Sequence, residues 1–211
     1  MRSTVMLVVV LTLVCLISAL ALAFVNNLTE DRIAAQKLAA KLRAVEEALP
    51  RDDLQYDNNP SQDISSISEW KEKDGTAKEI YLGKRGGEII GAAFTSVGSG
   101  YGGFITVMMG VAPDGKVTGI EIIEHLETPG LGANIESPKL FKNQFRGKHP
   151  PEGKLTVVKA GMAKEDNKDW EVEALTGATV SPRGVVQAVN DGLAMFRKYK
   201  DQILTSKGGT Q

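Results

Sequence analysis

Leu175-Thr176-Gly177-Ala178-Thr179-Val180-Ser181-Pro182 joins a short alternating run to a long amphipathic one, and the fold reads outward from it. Upstream, Trp170, Val172 and Ala174 alternate with Glu171 and Glu173, the period of a half-buried strand. Downstream, Ser181 suits an N-cap and Pro182 the first helical position. Val185, Val189, Leu193 and Phe196 then recur at steps of four and three, which predicts an amphipathic helix through about Tyr199. The turn between strand and helix contains Gly177, a residue suited to positive φ. Unpaired N–H groups and the positive end of the helix dipole favour a phosphate at such a helix start, by about 0.3–1 kcal/mol from the dipole alone.

The 211 residues, 42% hydrophobic and 24% charged, are enough for one core of ordinary size and an accessory element. A formal charge of -1, with no dense Lys/Arg cluster, argues against a nucleic-acid partner. The single cysteine, Cys15, lies in an apolar run, which excludes intrachain disulfides, cysteine-ligated zinc and iron–sulfur clusters. His125 and His149 are the only histidines, too few for a histidine-rich metal site. An electron carrier of this composition must rely on an organic cofactor.

Residues 5–25 carry no charge, and Thr12 and Ser18 are the only polar interruptions. About 20 such residues cross a bilayer core. Ala19-Leu20-Ala21 has the look of a signal-peptidase site, but the apolar run exceeds the roughly 7–15 residues of a signal sequence, so an uncleaved anchor is expected. Charge does not fix its orientation: Arg2 precedes the span, while Arg32, Lys37, Lys41 and Arg43 follow the acidic Glu30 and Asp31. Residues 27–49 read as a helix continuing or restarting at the membrane surface, with Asn27 and Glu30 approximating a capping box and Pro50 as its stop. Its stripe of Leu38, Leu42, Val45 and Leu49 either forms a stalk or docking surface for a neighbouring membrane protein or packs on its own domain. Residues 51–74 are polar and read as a connection with little regular structure. The expected organisation is an anchor at 1–25, a membrane-proximal segment at 26–76, a folded domain at 77–200 and a tail at 201–211, disordered from residue 206.

Strands are predicted at 79–82 and 88–96 about Gly83-Lys84-Arg85-Gly86-Gly87, and at 104–111 and 116–125 about Pro113-Asp114-Gly115. The fold class is therefore α+β, an antiparallel sheet with helices added late. Ser137-Pro138 predicts a helix through about Phe145, and residues 155–159 a further strand before a turn at 166–169. Gly98-Ser99-Gly100-Tyr101-Gly102-Gly103 opens no helix and is no dinucleotide fingerprint. Glycines around one aromatic let backbone approach a planar ligand while Tyr101 packs on it; a bulged loop with an exposed tyrosine fits the residues equally. In His125-Leu126-Glu127-Thr128-Pro129-Gly130-Leu131-Gly132, Pro129-Gly130 signals a type II turn that presents the Thr128 hydroxyl.

Thr176-Gly177-Ala178-Thr179 resembles the Ser/Thr-Gly-Ala-Thr motif of the FMN-binding domain found in the G subunit of the Rnf ion-translocating complex and the C subunit of the sodium-pumping NADH:quinone oxidoreductase. A Gly-Tyr/Trp-Gly-Gly loop and a Glu-Thr-Pro-Gly-Leu-Gly segment precede that motif in the family, and residues 100–103 and 127–132 reproduce them in order. The resemblance implies FMN carried on Thr179 through a phosphoester, with Thr176, Gly177, Ala178, Ser181, Tyr101, Gly103, Glu127, Thr128, Gly130 and Leu131 around it. Glu127 and Thr128 would meet the polar edge of the flavin ring, with no general base required. Many relatives have Asp six residues before the acceptor, where this chain has Glu173. Also implied are maturation by a FAD:protein FMN transferase using Mg²⁺, the other membrane and peripheral subunits of the Rnf complex as partners, and a single-pass location in a bacterial or archaeal cytoplasmic membrane with the domain extracytoplasmic. The activity implied is electron transfer that helps couple ferredoxin and NAD oxidoreduction to Na⁺ or H⁺ movement. The alternatives are the C subunit of the quinone reductase, usually a longer chain, and a membrane-anchored sensor domain of the same fold without flavin.

Overall fold

The computed structural model describes residues 2–71 and 76–206, in two compact units, Met1–Ala40 and Lys41–Gln211. The expectation of a disordered tail concerns residues 207–211 most, and these lie outside the described residues.

The first unit consists of helix α1 (Arg2–Ala48) as far as residue 40. Its apolar side chains are uncovered by the rest of the chain throughout the span, as at Leu22, 72% exposed. The helix is long and apolar enough to cross a membrane, with a mean hydropathy of 3.0 over its most apolar window. No second helix starts at Asn27; α1 runs through it without a break. Extending a formed helix costs less than nucleating a new one. The nearby Thr29 hydroxyl donates back to the Val25 carbonyl at 2.9 Å, within the helix.

In the second unit, a five-stranded antiparallel meander runs β1 (Ile64–Lys71), β2 (Ala77–Arg85), β3 (Glu88–Ser99), β4 (Phe104–Val111) and β5 (Val117–Glu124) in chain order. A short helix α2 (Arg51–Leu54) and all of β1 fall in the stretch expected to be irregular. Ile67 and Trp70 are both buried although three residues apart, because the β1–β2 register shifts between Ile67 and Lys71; Ile64, before the shift, is exposed. Two short strands, β6 (Thr156–Val158) and β7 (Glu171–Glu173), pair in parallel beside the meander's closing helix, α3 (Val180–Thr205). The α-helix expected from Ser137 is replaced by a turn and a single 3₁₀ turn, Lys142–Phe145; another 3₁₀ turn, Gly132–Glu136, precedes it. Phe141 and Phe145, 5.3 Å apart edge to face, are both fully buried, so core packing sets the path there.

Both sheet faces are covered. On one, Phe94, Val107 and Met109 pack against Val185, Val189, Leu193 and Phe196 of α3 in the main core. Burial of each such side chain contributes about 1.5–3 kcal/mol. On the other, Ala44, Val45, Ala48 and Leu49 at the end of α1 pack with Tyr81, Ala93 and Met108. This end of the membrane-proximal stripe therefore packs on its own domain. The N-terminal part of α3 approaches β3 where both carry glycine. A Cβ on Gly98 would stand 1.9 Å from the Gly184 carbonyl oxygen, so only a glycine pair permits this distance. The Ser96 hydroxyl donates to the Ala188 carbonyl at 2.6 Å and fixes the helix's axial position.

Candidate functional site

One end of the sheet gathers three connections. The β3–β4 hairpin closes through residues 100–103, with Gly100 N–H donating to the Gly103 carbonyl at 2.7 Å. The loop after β5 contains the Pro129-Gly130 turn, in which Leu131 N–H donates to the Thr128 carbonyl at 3.2 Å and Gly130 has φ of 74°. The third connection leads from β7 into α3. There Ala178 N–H donates to the Leu175 carbonyl at 3.1 Å, and Gly177 at φ of 79° makes the turn that a side-chain-bearing residue would strain.

Between these connections lies a cleft of about 330 Å³, lined by Tyr101, Glu127, Thr128, Leu131, Gly132, Gly177, Ala178, Thr179, Val180 and Ser181. That volume is at the lower end of the usual range for ligand sites, about 300–1,000 Å³. Of the residues the sequence singled out, Gly103, Gly130 and Thr176 shape the turns without lining the cleft. Gly132 and Val180 line it without having been singled out. The signal for Gly132 was its place at the end of the 127–132 segment, and the structure gives the reason for glycine: a Cβ there would meet Glu127 Oε2 and Ser181 Oγ, each at 2.6 Å. Val180 gave none, being an ordinary apolar residue of a helix's first turn.

Thr179 is the N-cap of α3, at φ of -98° and ψ of -21°, and its exposed side chain makes no capping hydrogen bond. Ser181, expected to be the cap, lies inside the first turn and is 1% exposed. Its hydroxyl donates instead to Glu127 Oε2, a tertiary partner that local sequence could not reveal. Pro182 is accommodated because first-turn N–H groups have no intrahelical acceptor to lose. The N–H groups of Val180 and Ser181 are first-turn donors of this kind, while Arg183 N–H reaches the Thr179 carbonyl at 3.3 Å.

Glu127 is 5% exposed, and its carboxylate accepts the Gly102 N–H at 3.0 Å through Oε1 and the Ser181 hydroxyl through Oε2. It therefore ties the three connections to one another. Tyr101 is 76% exposed, and with Leu131 and Val180 it gives the cleft an apolar rim. Glu173 turns away from the cleft and accepts the Ala163 N–H at 3.1 Å, while its own N–H donates to the Gln144 side chain at 2.7 Å. Among the described residues no cluster of His, Cys, Asp and Glu has the makings of a metal site.

Comparison with known proteins agrees with this geometry. Residues 100–194 match the FMN-binding domain family and residues 2–47 the RnfG N-terminal region. The G subunit of the ion-translocating oxidoreductase complex of Cereibacter sphaeroides is 34% identical over 195 residues, covering 92% of this chain and 84% of that protein. The G subunit of the Na(+)-translocating ferredoxin:NAD(+) oxidoreductase complex of Acetobacterium woodii is 34% identical over 191 residues, 89% of each chain. Among solved structures, NqrC of Shewanella oneidensis superposes with a TM-score of 0.54 at 26% identity, over 75% of this chain and 76% of that one. Shared architecture with NqrC thus extends across the domain, while the N-terminal match and the curated relatives point to the Rnf protein. The chain therefore belongs to the G-subunit family of ion-translocating oxidoreductase (Rnf) complexes, as a membrane-anchored protein with an FMN-binding domain.

Proposed function

We propose that this chain is the FMN-carrying electron-transfer subunit of an Rnf-type ferredoxin:NAD oxidoreductase, with FMN attached covalently to Thr179. The observation that carries the reading is the exposed Thr179 hydroxyl at the mouth of α3, inside a cleft walled by the two loops that resemble the family's flavin loops. FMN supplies a carrier that accepts and returns electrons one or two at a time.

The residues present fit such a group. A phosphodiester on Thr179 Oγ1 retains one negative charge, and the N–H groups of Val180 and Ser181 at the positive end of a 26-residue helix suit that charge. Arg183, exposed one turn into the helix, adds a cation on the same side of the charge balance. Tyr101, Leu131 and Val180 offer flat and apolar surface to a ring system, and the Thr128 hydroxyl offers a polar contact. Glu127 serves as the brace between the walls; both its oxygens are engaged within the protein.

Attachment requires a separate FAD:protein FMN transferase with Mg²⁺. In that transfer the bond formed is Thr179 Oγ1 to the FMN phosphorus, the bond broken is the FAD pyrophosphate, and AMP departs as the threonine proton is lost. The partners are the membrane and peripheral subunits of the complex, and the domain lies on the extracytoplasmic side of a bacterial or archaeal cytoplasmic membrane. The coupled ion is Na⁺ or H⁺.

Co-expression with the transferase, followed by in-gel fluorescence of denatured protein and mass spectrometry of the peptide containing residue 179, tests the reading. Covalent flavin is expected in the wild type and absent from Thr179→Ala. Flavin persisting in that variant would transfer the assignment to Thr176, since Ser181 is buried. A wild-type chain free of flavin would leave an anchored domain without redox function.

A further inference from the structure

We infer that His125 is a positioning residue for the cofactor cleft, acting through Glu127; the inference rests on the FMN reading above. Two neighbours in the loop after β5 stand opposite to what hydrophobicity favours. Leu126 is 75% exposed, and Glu127 is 5% exposed. Leaving leucine in water and removing a carboxylate from it are both unfavourable, so specific contacts must hold this register.

His125 supplies the first contact. The Glu127 N–H donates to His125 Nδ1 at 3.0 Å. A nitrogen that accepts an N–H carries no proton itself, so the neutral ring's proton belongs on Nε2. Nε2 faces Glu136 Oε1 at 2.9 Å, at the end of the first 3₁₀ turn. The ring is thus gripped at both nitrogens, and its side chain is only 12% exposed. With the backbone of Glu127 fixed, its carboxylate reaches Gly102 N–H and the Ser181 hydroxyl. The same register brings the Leu126 carbonyl against Gly102, where an added Cβ would stand 1.8 Å from the oxygen.

His125 does not line the cleft, yet both walls depend on it: Gly102 adjoins Tyr101, and Ser181 lies two residues beyond Thr179. Without the Nδ1 acceptor, the loop is free to turn Leu126 inward and Glu127 outward. That reversal releases Gly102 and Ser181 together.

The test uses the full chain co-expressed with the FMN transferase, as wild type, His125→Leu and His125→Asn. Leucine keeps the bulk without an acceptor, while the asparagine Oδ1 takes a place close to that of Nδ1 and accepts the same N–H. All three are expected to carry FMN on residue 179 by mass. In His125→Leu the visible circular dichroism of the flavin is expected to fall, and the Gly102 and Glu127 amides to exchange about 2- to 10-fold faster. His125→Asn is expected to restore both signals. Unloaded wild-type protein overturns the FMN reading itself. Loaded protein whose flavin dichroism is unchanged in His125→Leu, or is no better in His125→Asn than in His125→Leu, overturns the role of His125 alone. ¹⁵N spectra of the wild-type imidazole decide the matter even if the leucine variant does not fold: an unprotonated Nδ1 coupled to the Glu127 amide is expected, and a protonated Nδ1 refutes the inference.

Discussion

Gly184→Ala sets two effects of known sign against each other on the helix that carries the proposed acceptor. Alanine in place of glycine inside α3 favours the helix by about 0.8–1.0 kcal/mol. Against this, its Cβ would lie 2.5 Å from the Ser99 carbonyl oxygen and 2.8 Å from the carbonyl carbon. Ordinary contact begins at 3.4 Å, so helix and strand must part by 3.4 − 2.5 = 0.9 Å. Overpacking of this kind costs about 1–3 kcal/mol, and because the obstacle is backbone the upper end applies. The net expectation is a loss of about 2 kcal/mol, equivalent to a fall of about 4–8 °C in Tm for a domain of this size. Gly192→Ala is the matched control, with the same gain in propensity. Its Cβ meets the Met109 sulfur at 2.2 Å and the Phe94 ring at 3.2 Å, side-chain rather than backbone atoms, and methionine is the most adaptable of core side chains. That variant should remain within about 1 kcal/mol of wild type. Urea unfolding of the full chain in mild detergent, followed by the fluorescence of Trp70 and Trp170, measures both. A Gly184→Ala protein as stable as wild type, or more stable than Gly192→Ala, would refute the view that backbone contact between β3 and α3 fixes the helix.

Glu127→Ala should cost about 3 kcal/mol or more, because it removes two hydrogen bonds to a charged acceptor, each worth about 1.5–3 kcal/mol; thermal unfolding is the check. Glu127→Gln should cost less, since the amide oxygen still accepts one of the two donors and the Ser181 hydroxyl can rotate to accept from the amide nitrogen. Lys148→Met should lower stability by about 1–3 kcal/mol in the same assay, because the buried ammonium donates to the Lys168 and Glu171 carbonyls and both would lose their partner. Burial, and then the hydrogen bond to Glu79, raise the Tyr81 phenol well above its ordinary value of 10.0. A raised folded pKa gives stability that is present below pH 10 and lost as the pH rises further, so Tyr81→Phe should flatten the alkaline limb of a stability-versus-pH curve, while at neutral pH it loses the hydrogen bond to Glu79.

The meander was legible where side chains alternate strictly and turns carry their own residues. Strand β4 occupies the 104–111 predicted for it, and the Pro113-Asp114-Gly115 turn closes with the Asp114 carboxylate accepting the Lys116 N–H at 2.9 Å. Strand β1 was hidden because only Ile67 and Trp70 are buried in it, and the register shift after Ile67 sets them three residues apart, off the two-residue period. Ser137-Pro138 looked like a helix start, but the pull of Phe141 and Phe145 into the core left only one 3₁₀ turn. Site residues divide in the same way. Gly177 and Pro129-Gly130 announced their turns through local backbone demands, and both turns are present. The inward Glu127 and its hold on Ser181 are contacts between residues 54 apart in sequence, which no local pattern encodes.

The proposed choice of Thr179 among several hydroxyls rests on position alone. Thr128, Thr176, Thr179 and Ser181 all belong to the connections around the cleft. Ser181 is buried, with its proton committed to Glu127, so it can be reached neither by a transferase nor by water. Thr128 is exposed and lines the same cleft, but it belongs to the loop after β5 and is not itself part of the helix start. Thr176 is exposed in the turn whose next residue is Gly177, before the helix has begun. Thr179 alone combines an exposed side chain with the cap position of α3, where a phosphodiester's remaining charge meets first-turn N–H groups. The Gly98–Gly184 contact then holds that cap against the sheet, so a group attached there as proposed would inherit the rigidity of the core while its attachment point stays open to a transferase.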